Sequence, residues 1–291
     1  MALRHDGRAR LKLLLLIFSL AVPLPGLSQP FPAKPVRIIV PFPPGGGADA
    51  LARLMAPKLA EVWKEHVAVE NRSGASGHIG ADFVAQAPAD GTTLLMSSTA
   101  SLTQKNVAQF APVTLVSASP YVVTASPKTT VVSIQELVAL ARAGVDLLHV
   151  PYKGTGQALT DLLAGQVDLL FAPAQTVIQH VRAGKLKALA TTGARRTETL
   201  PELPTVAESG VPGYEALGWF GVLAPAATPR PLVDRLSADA NRVLADPDVR
   251  SRMIALGADP RGNTPEEFAR FIREDQVKWA KLMREAGITP E

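Results

Sequence analysis

Two rhythms of apolar residues run along this chain: short β-branched runs, and longer segments in which apolar positions recur every three or four residues. Val36, Ile38, Ile39 and Val40 read as a buried strand that stops at Pro41, Pro43 and Pro44, which cannot donate to a sheet ladder. Gly45, Gly46 and Gly47 follow, and Leu51, Leu54, Met55, Leu59 and Val62 then recur at helical spacing, so residues 36–62 predict strand, glycine turn, helix. Residues 66–69 predict a second strand, 71–80 a Gly/Ser-rich loop, 81–87 a helix ended by Pro88, and 93–96 a third strand. Ser97, Ser98, Thr99 and Ser101 lie just past that strand.

Further along, extended apolar segments at 113–116 and 121–125 flank Pro120, and residues 134–143 predict a helix closed by Gly144. Residues 145–150 predict a strand and 151–156 (PYKGTG) a turn opening a helix at 157–164, which repeats the opening pattern. A strand at 167–171, a helix at 176–183, a strand at 186–191, a surface connection at 195–212 and an apolar segment at 218–224 come next. Three helices close the chain, their starts marked by Thr228 with Pro229, Asp246 with Pro247, and Thr264 with Pro265. Thr264 with Glu267 completes a capping box, and Gly257 and Gly287 end the last two helices.

Strands alternating with helices predict an α/β fold with a parallel sheet, whose ligands collect at the carboxyl ends of the strands. The first glycine turn and the Ser/Thr run would then share a rim. A helix N-terminus has amides without intrahelical acceptors and a partial positive charge, so both glycine turns are candidate anion cradles.

Composition narrows this picture. Residues 1–28 have a basic start (Arg4, Arg8, Arg10, Lys12), an apolar run at 13–22, and small residues Gly26 and Ser28, the pattern of a Sec-type signal peptide cleaved after Ser28, before Gln29. The apolar run falls short of the roughly 20 residues needed to span a bilayer. That segment holds four basic residues against one acidic, +3 of the chain's net +4, so the remainder carries only +1 and its charge does not point to nucleic acid. Cysteine is absent, which excludes disulfides, thiolate metal sites and a cysteine nucleophile. A free, soluble exported protein is expected.

Competing chemistry is thin. Gly45, Gly47 and Ala50 satisfy G-x-G-x-x-A, and Glu70 follows about 20 residues later, where a dinucleotide fold places its ribose-binding acid. Three prolines separate strand from glycines, however, and a dinucleotide turn is tight. Gly74, Ala75, Ser76 and Gly77 lack the second spacing of a nucleophile elbow. His66, His78, His149 and His180 form no metal-ligand spacing, and His149 reads as a core residue inside its apolar strand. Asp161 and Asp168 fall on a helix and the next strand rather than forming an acid/base pair, and Trp219 with Phe220 reads as core. No enzyme activity, cofactor or metal is expected.

The series PVRIIVPFPPGGGADALARLMAPKL, VENRSGASGHIGADFVAQAPADG, VPYKGTGQALTDLLAGQVDLLF, AGKLKALATT and LPTVAESGVPGYEALGWFGVLAPAATP strongly resembles, in collinear order over most of residues 31–291, the Bug receptors. These are the periplasmic substrate-binding proteins of tripartite tricarboxylate transporters. The resemblance implies a two-lobed Venus flytrap: residues 29–120 and 218–291 as lobe 1, and residues 121–217 as lobe 2. It implies a monomer that captures a small carboxylated solute between the lobes and delivers it to membrane permease subunits. The matching ligand positions are Pro44, Gly45, Gly46, Gly47 and Asp49 in the first loop, Ser97, Ser98 and Thr99 after the third strand, and Lys153, Gly154, Thr155 and Gly156 in the second lobe. An acid such as Asp49 in a first helical turn is usually a dipole partner, and a ligand carboxylate would repel it unless water intervenes.

The chain departs from the family pattern in one place above all. Between the helix at 134–143 and the strand at 145–150, members of the family carry a further strand, a Ser/Gly-rich loop and a helix, and here Ala143 runs straight into Gly144 and Val145. The stretch between Ser98 and Phe110 is also short. The expectation is a truncated second lobe, with a degenerate or sensory paralogue as the alternative to a working receptor and a nucleotide-binding enzyme as a more distant one.

Overall fold

The computed structural model describes residues 31–32, 34–152, 154–197, 200–285 and 287; residues 1–28, expected to be a signal peptide, and Lys153 lie outside them. Phe31 and Pro32 fall in a separate unit from residues 34–291, and the fold below is that of the latter.

Its strands are β1 (Val36–Val40), β2 (Val67–Asn71), β3 (Thr93–Ser98), β4 (Phe110–Ala125), β5 (Leu169–Pro173), β6 (Lys187–Thr191) and β7 (Leu217–Pro225). Its helices are α1 (Gly47–Trp63), α2 (His78–Ala85), α3 (Ile134–Arg142), α4 (Thr155–Ala164), α5 (Ala174–Arg182), α6 (Arg230–Ala245), α7 (Pro247–Ala255) and α8 (Pro265–Glu285). The strands hydrogen-bond in the order β2-β1-β3-β7-β4-β5, and β6 also pairs with β4. β1 is parallel to β2 and β3, as the βα alternation requires, whereas β7 runs antiparallel to both β3 and β4.

The two extended segments expected around Pro120 are one strand, β4, of 16 residues. Pro120 does not break it, because β4 changes partners there: it pairs with β7 up to Pro120↔Leu217, and from Tyr121 onward with β5 and β6. Thr192 ties this switch point together, accepting from Tyr121 N at 2.8 Å and donating to Ala216 O at 2.6 Å.

The core follows from these pairings. In the first half, Ile39, Leu95, Leu115, Trp219, Leu223, Phe268 and Ile272 pack as one buried cluster. Trp219 meets Phe268 edge-on at 5.6 Å between ring centroids, and its Nε1 donates to Asp275 Oδ2 at 2.9 Å, so α8 is held by both a ring contact and a polar one. In the second half both sheet faces are covered, since successive side chains of a strand point oppositely. Val122 packs with Leu162, Val177, Ile178 and Leu186, and Val123 with Ala125, Ile134, Leu189 and Val206.

Three sequence expectations are corrected. Residues 145–150 are not a strand but an irregular exposed segment, with Leu148 87% exposed, and His149 is exposed with them rather than in the core. The physical reason lies in the sheet. β5 flanks antiparallel β4 as β3 flanks antiparallel β7, but β3 is followed outward by β1 and β2, whereas among the described strands nothing lies beyond β5. An apolar run becomes a strand only where a neighbour takes its N–H and C=O groups, and the chain running from Arg142 to Thr155 has no strand to stand between this run and β5. Thr228 does not cap its helix: α6 begins at Arg230 with no side-chain cap, and Thr228 Oγ1 is buried without a partner. The other caps form, Asp246 accepting from Asp248 N and Val249 N, and Thr264 exchanging bonds with Glu267.

Truncating Phe268 to Ala removes the ring beneath which Gly221 passes and leaves a cavity in the first-half core. It is expected to cost about 3–5 kcal/mol in urea denaturation, while Val277→Ala on the exposed face of α8 changes stability by less than about 0.5 kcal/mol.

Candidate functional site

The site begins where β1 stops. Pro41, Pro43 and Pro44 end the ladder, Gly45 turns with φ +85°, a conformation that favours glycine, and Gly46 precedes the first turn of α1 without a side-chain cap. The loop is held from below by Asp49. Its Oδ2 accepts from Gly45 N at 3.0 Å, and its Oδ1 accepts from Arg53 Nε at 3.0 Å and Asn71 Nδ2 at 2.9 Å. Asn71 Nδ2 also donates to Phe42 O at 3.0 Å, which fixes the loop to the end of β2. Burial alone would raise the Asp49 pKa, but the bonds from Arg53, Gly45 and Asn71, with the charge of Arg53, outweigh it and hold the carboxyl below its ordinary value. Asp49 thus shapes the loop from inside, with both oxygens occupied.

Two further loops of the first half close on this one. Residues 75–77 form a 3₁₀ turn in which Ala75 and Ser76 both adopt positive φ, and a β-carbon on Gly77 would lie 2.7 Å from Ser101 Cβ and 3.2 Å from the Phe42 ring. The Ser/Thr run is partly spent on its own turn. Ser97 and Ser101 share a hydrogen bond at 3.0 Å, Ser98 N donates to Ser101 Oγ at 3.2 Å, and Ala100 N donates to Ser98 Oγ at 3.3 Å. Thr99 Oγ1 has no partner.

The second glycine turn lies directly against the first. A β-carbon on Gly154 would sit 2.8 Å from Pro43 Cδ, and one on Gly156 3.7 Å from Pro44 O. α4 starts at Thr155, two residues earlier than its sequence pattern suggests, so the turn opens straight into its first amides. Tyr152 donates to Asp161 Oδ2 at 2.7 Å and ties the turn back to α4; that bond, with smaller effects of burial and the Asp161 charge, raises the Tyr152 pKa.

Pro43, Pro44, Gly154 and Gly156 therefore meet at one place, while Ser97 and Ser98, expected past the third strand, are the last two residues of β3 because they pair with Gly221 and Phe220 of β7; Thr99 follows them, and Ser97 is joined to the first loop through Ser101, Gly77 and Phe42. The sequence reading missed a further wall. α5 starts at Ala174, and a β-carbon on Gly47 would lie 2.9 Å from the Phe220 ring and 3.6 Å from Gln175 Cβ. The signal for it was faint, since the helix pattern placed Gln175 outside the helix.

Other chemistry finds little support. Glu70, the candidate ribose acid, accepts from Arg72 Nε at 2.7 Å and pairs with Arg72 and Arg37. No His, Asp or Glu cluster among the described residues could hold a metal ion.

A family model described as "Tripartite tricarboxylate transporter family receptor" matches residues 51–144 and 140–288. The two stretches meet at the end of α3, where the sequence is short. Among solved structures, an R. palustris protein with adipate is 31% identical, with TM-score 0.84 over 90% of this chain and 100% of its own. The periplasmic binding protein BugD is 35% identical, with TM-score 0.82 over the same shares. MatC from Rhodopseudomonas palustris with bound malate is 31% identical, with TM-score 0.75 over 86% of this chain and 98% of its own.

Replacing Asp49 with Asn removes the charge that holds Gly45, Arg53 and Asn71, at an expected cost of about 1–3 kcal/mol at neutral pH. Because the folded carboxyl titrates below its ordinary value, this contribution is present above 3.8 and is lost as pH falls through the lower folded value. Urea titrations of wild type and Asp49→Asn should therefore converge in acid and separate as pH rises toward neutrality.

Proposed function

The chain belongs to the tripartite tricarboxylate transporter receptor family, and from that we propose that it captures a small carboxylate between its two glycine turns and presents it to the membrane subunits of such a transporter. It is a solute receptor rather than an enzyme. The observation that supports the reading is the close approach of Gly154 and Gly156, at the start of α4, to Pro43 and Pro44, in the loop that leads into α1. Amides at two helix starts can bind an anion without a buried counter-charge, since each end adds partial positive charge worth about 0.3–2 kcal/mol to a bound carboxylate. Adipate and malate in two of the similar structures supply the ligand class.

In this reading lobe 1 comprises residues 29–120 and 218–291 and lobe 2 residues 121–217, with the change of partners in β4 at Pro120 as the crossing. Gly46 and Gly47 offer amides from lobe 1, with the Gly45 amide held by Asp49, Thr99 offers a hydroxyl, and Gly154, Thr155 and Gly156 form the opposing wall, next to which Lys153 stands in sequence. The protein acts as a monomer in the periplasm after losing residues 1–28. A second reading, a paralogue that keeps the fold but not capture, draws on the division of the family match into two stretches that overlap at 140–144 and on the exposed run at 145–150.

Thermal unfolding of the mature protein with adipate, malate and citrate, and with NAD and ATP as controls, separates these readings. The receptor gains stability with at least one carboxylate, about 2.7 kcal/mol at 100 times its Kd, and none with nucleotides; a flat response throughout supports the second reading. Gly154→Ala pushes the two turns apart against Pro43 and is expected to weaken the carboxylate shift without lowering the Tm of the free protein. Periplasmic extraction followed by N-terminal sequencing should begin at Gln29.

A further inference from the structure

Gln175 is 9% exposed, and neither its amide nitrogen nor its amide oxygen has a hydrogen-bond partner. Its neighbour Thr176 is equally enclosed, and its Oγ1 is also unpartnered. Buried amides are nearly always satisfied in native proteins, because each orphaned donor or acceptor gives up its bonds to water with nothing in return. Among the described residues other buried groups lack partners, at Thr99, Thr191, Thr228 and Gln276, but Gln175 alone leaves an amide with both ends unmet, and it does so against the α1 turn.

Its position repeats that of the first-half rim. β5 flanks antiparallel β4 as β3 flanks antiparallel β7. Ser97, Ser98 and Thr99 close β3, and Gln175 and Thr176 directly follow β5 in the first turn of α5, whose own amides have no intrahelical acceptors. The start of α5 meets the first glycine turn where a β-carbon on Gly47 would lie 3.6 Å from Gln175 Cβ.

Resting on the receptor reading, we propose that Gln175 reads the ligand and selects a hydroxylated carboxylate over its unsubstituted counterpart. The argument is one of donors and acceptors. A carboxylate can satisfy the Nε2 hydrogens of Gln175 but has nothing to give Oε1, whereas a hydroxyl beside the carboxylate donates to Oε1 and completes the amide. A site that holds a buried donor–acceptor pair rejects the ligand lacking the matching group, because the pair is then left unmet in the complex. Thr176, able to donate and accept, takes up the remaining oxygen.

Calorimetric titration of the mature protein with malate and with succinate, which share a carbon chain and differ by one hydroxyl, tests this. The expected result is at least 10-fold tighter binding of malate by wild type. Gln175→Met, similar in length and without polar atoms, should lose about 10–100-fold toward malate, change less than about 3-fold toward succinate, and leave the free protein's Tm at or above wild type, since an orphaned amide has been removed. A Tm that falls in Gln175→Met, with the malate preference retained in Gln175→Asn, would assign the residue to packing and overturn the proposal. Equal affinity of wild type for the two acids overturns it while leaving the receptor reading intact; no binding of any carboxylate overturns both.

Discussion

β4 is the constraint on which the rest of the molecule depends. A strand of 16 residues must find partners for its backbone along its whole length, or leave buried amides and carbonyls unmet. It does so with three strands and a loop: β7 along its first part, β5 and β6 along its second, and residues 261–263 on the edge that β7 leaves open. There Arg261 N and Gly262 N donate to Val116 O and Leu115 O, and Asn263 Oδ1 accepts from Leu115 N. Because both halves hang on one continuous strand, their glycine turns are brought face to face by the sheet rather than by local sequence. Thr192, bonded to Tyr121 and Ala216 at the two crossing points, binds the segments that any movement between the halves has to pass through.

The site itself is built by close approach. Glycines at 47, 154 and 156 let backbone come within contact of Phe220, Pro43 and Pro44, and a side chain at 47 or 154 would force the walls apart. What stiffens the approach is polar and lies underneath. Asp49 gathers Gly45, Arg53 and Asn71, and Tyr152 grips Asp161 on the opposite side. A helix end kept free of a capping side chain, on a loop pinned by its own acid, keeps its amides available to a bound anion.

The second half bears the consequence of a short sequence. β5 presents an open edge with Phe171 exposed, and Val145, Leu147, Leu148 and Val150 lie uncovered nearby in the chain. An open edge beside uncovered apolar residues is a liability that sheet proteins normally manage with charge, proline or a covering element. The first half, with β1 and β2 beyond β3, has no such gap.

What the sequence determined by itself is local. The strand, glycine turn and helix at 36–62, the caps at Asp246 and Thr264, and the helix stops at Gly144 and Gly257 were legible because propensity, periodicity and capping act over a few residues. The series of motifs carried the family in the same way. Tertiary structure decided the rest. Whether VDLLHV becomes a strand depends on a neighbour that the described residues do not supply, and whether Pro120 breaks a strand depends on partners nearly a hundred residues away. Asp49 reads in sequence as a ligand contact or a dipole partner, but Asn71 and Gly45 claim its oxygens only once β2 lies beside β1. Gln175 shows no periodicity or motif at all. Its burial against Gly47 exists only because β4 carries one half of the molecule onto the other, and satisfying a buried polar group is a property of the assembled fold rather than of any stretch of chain.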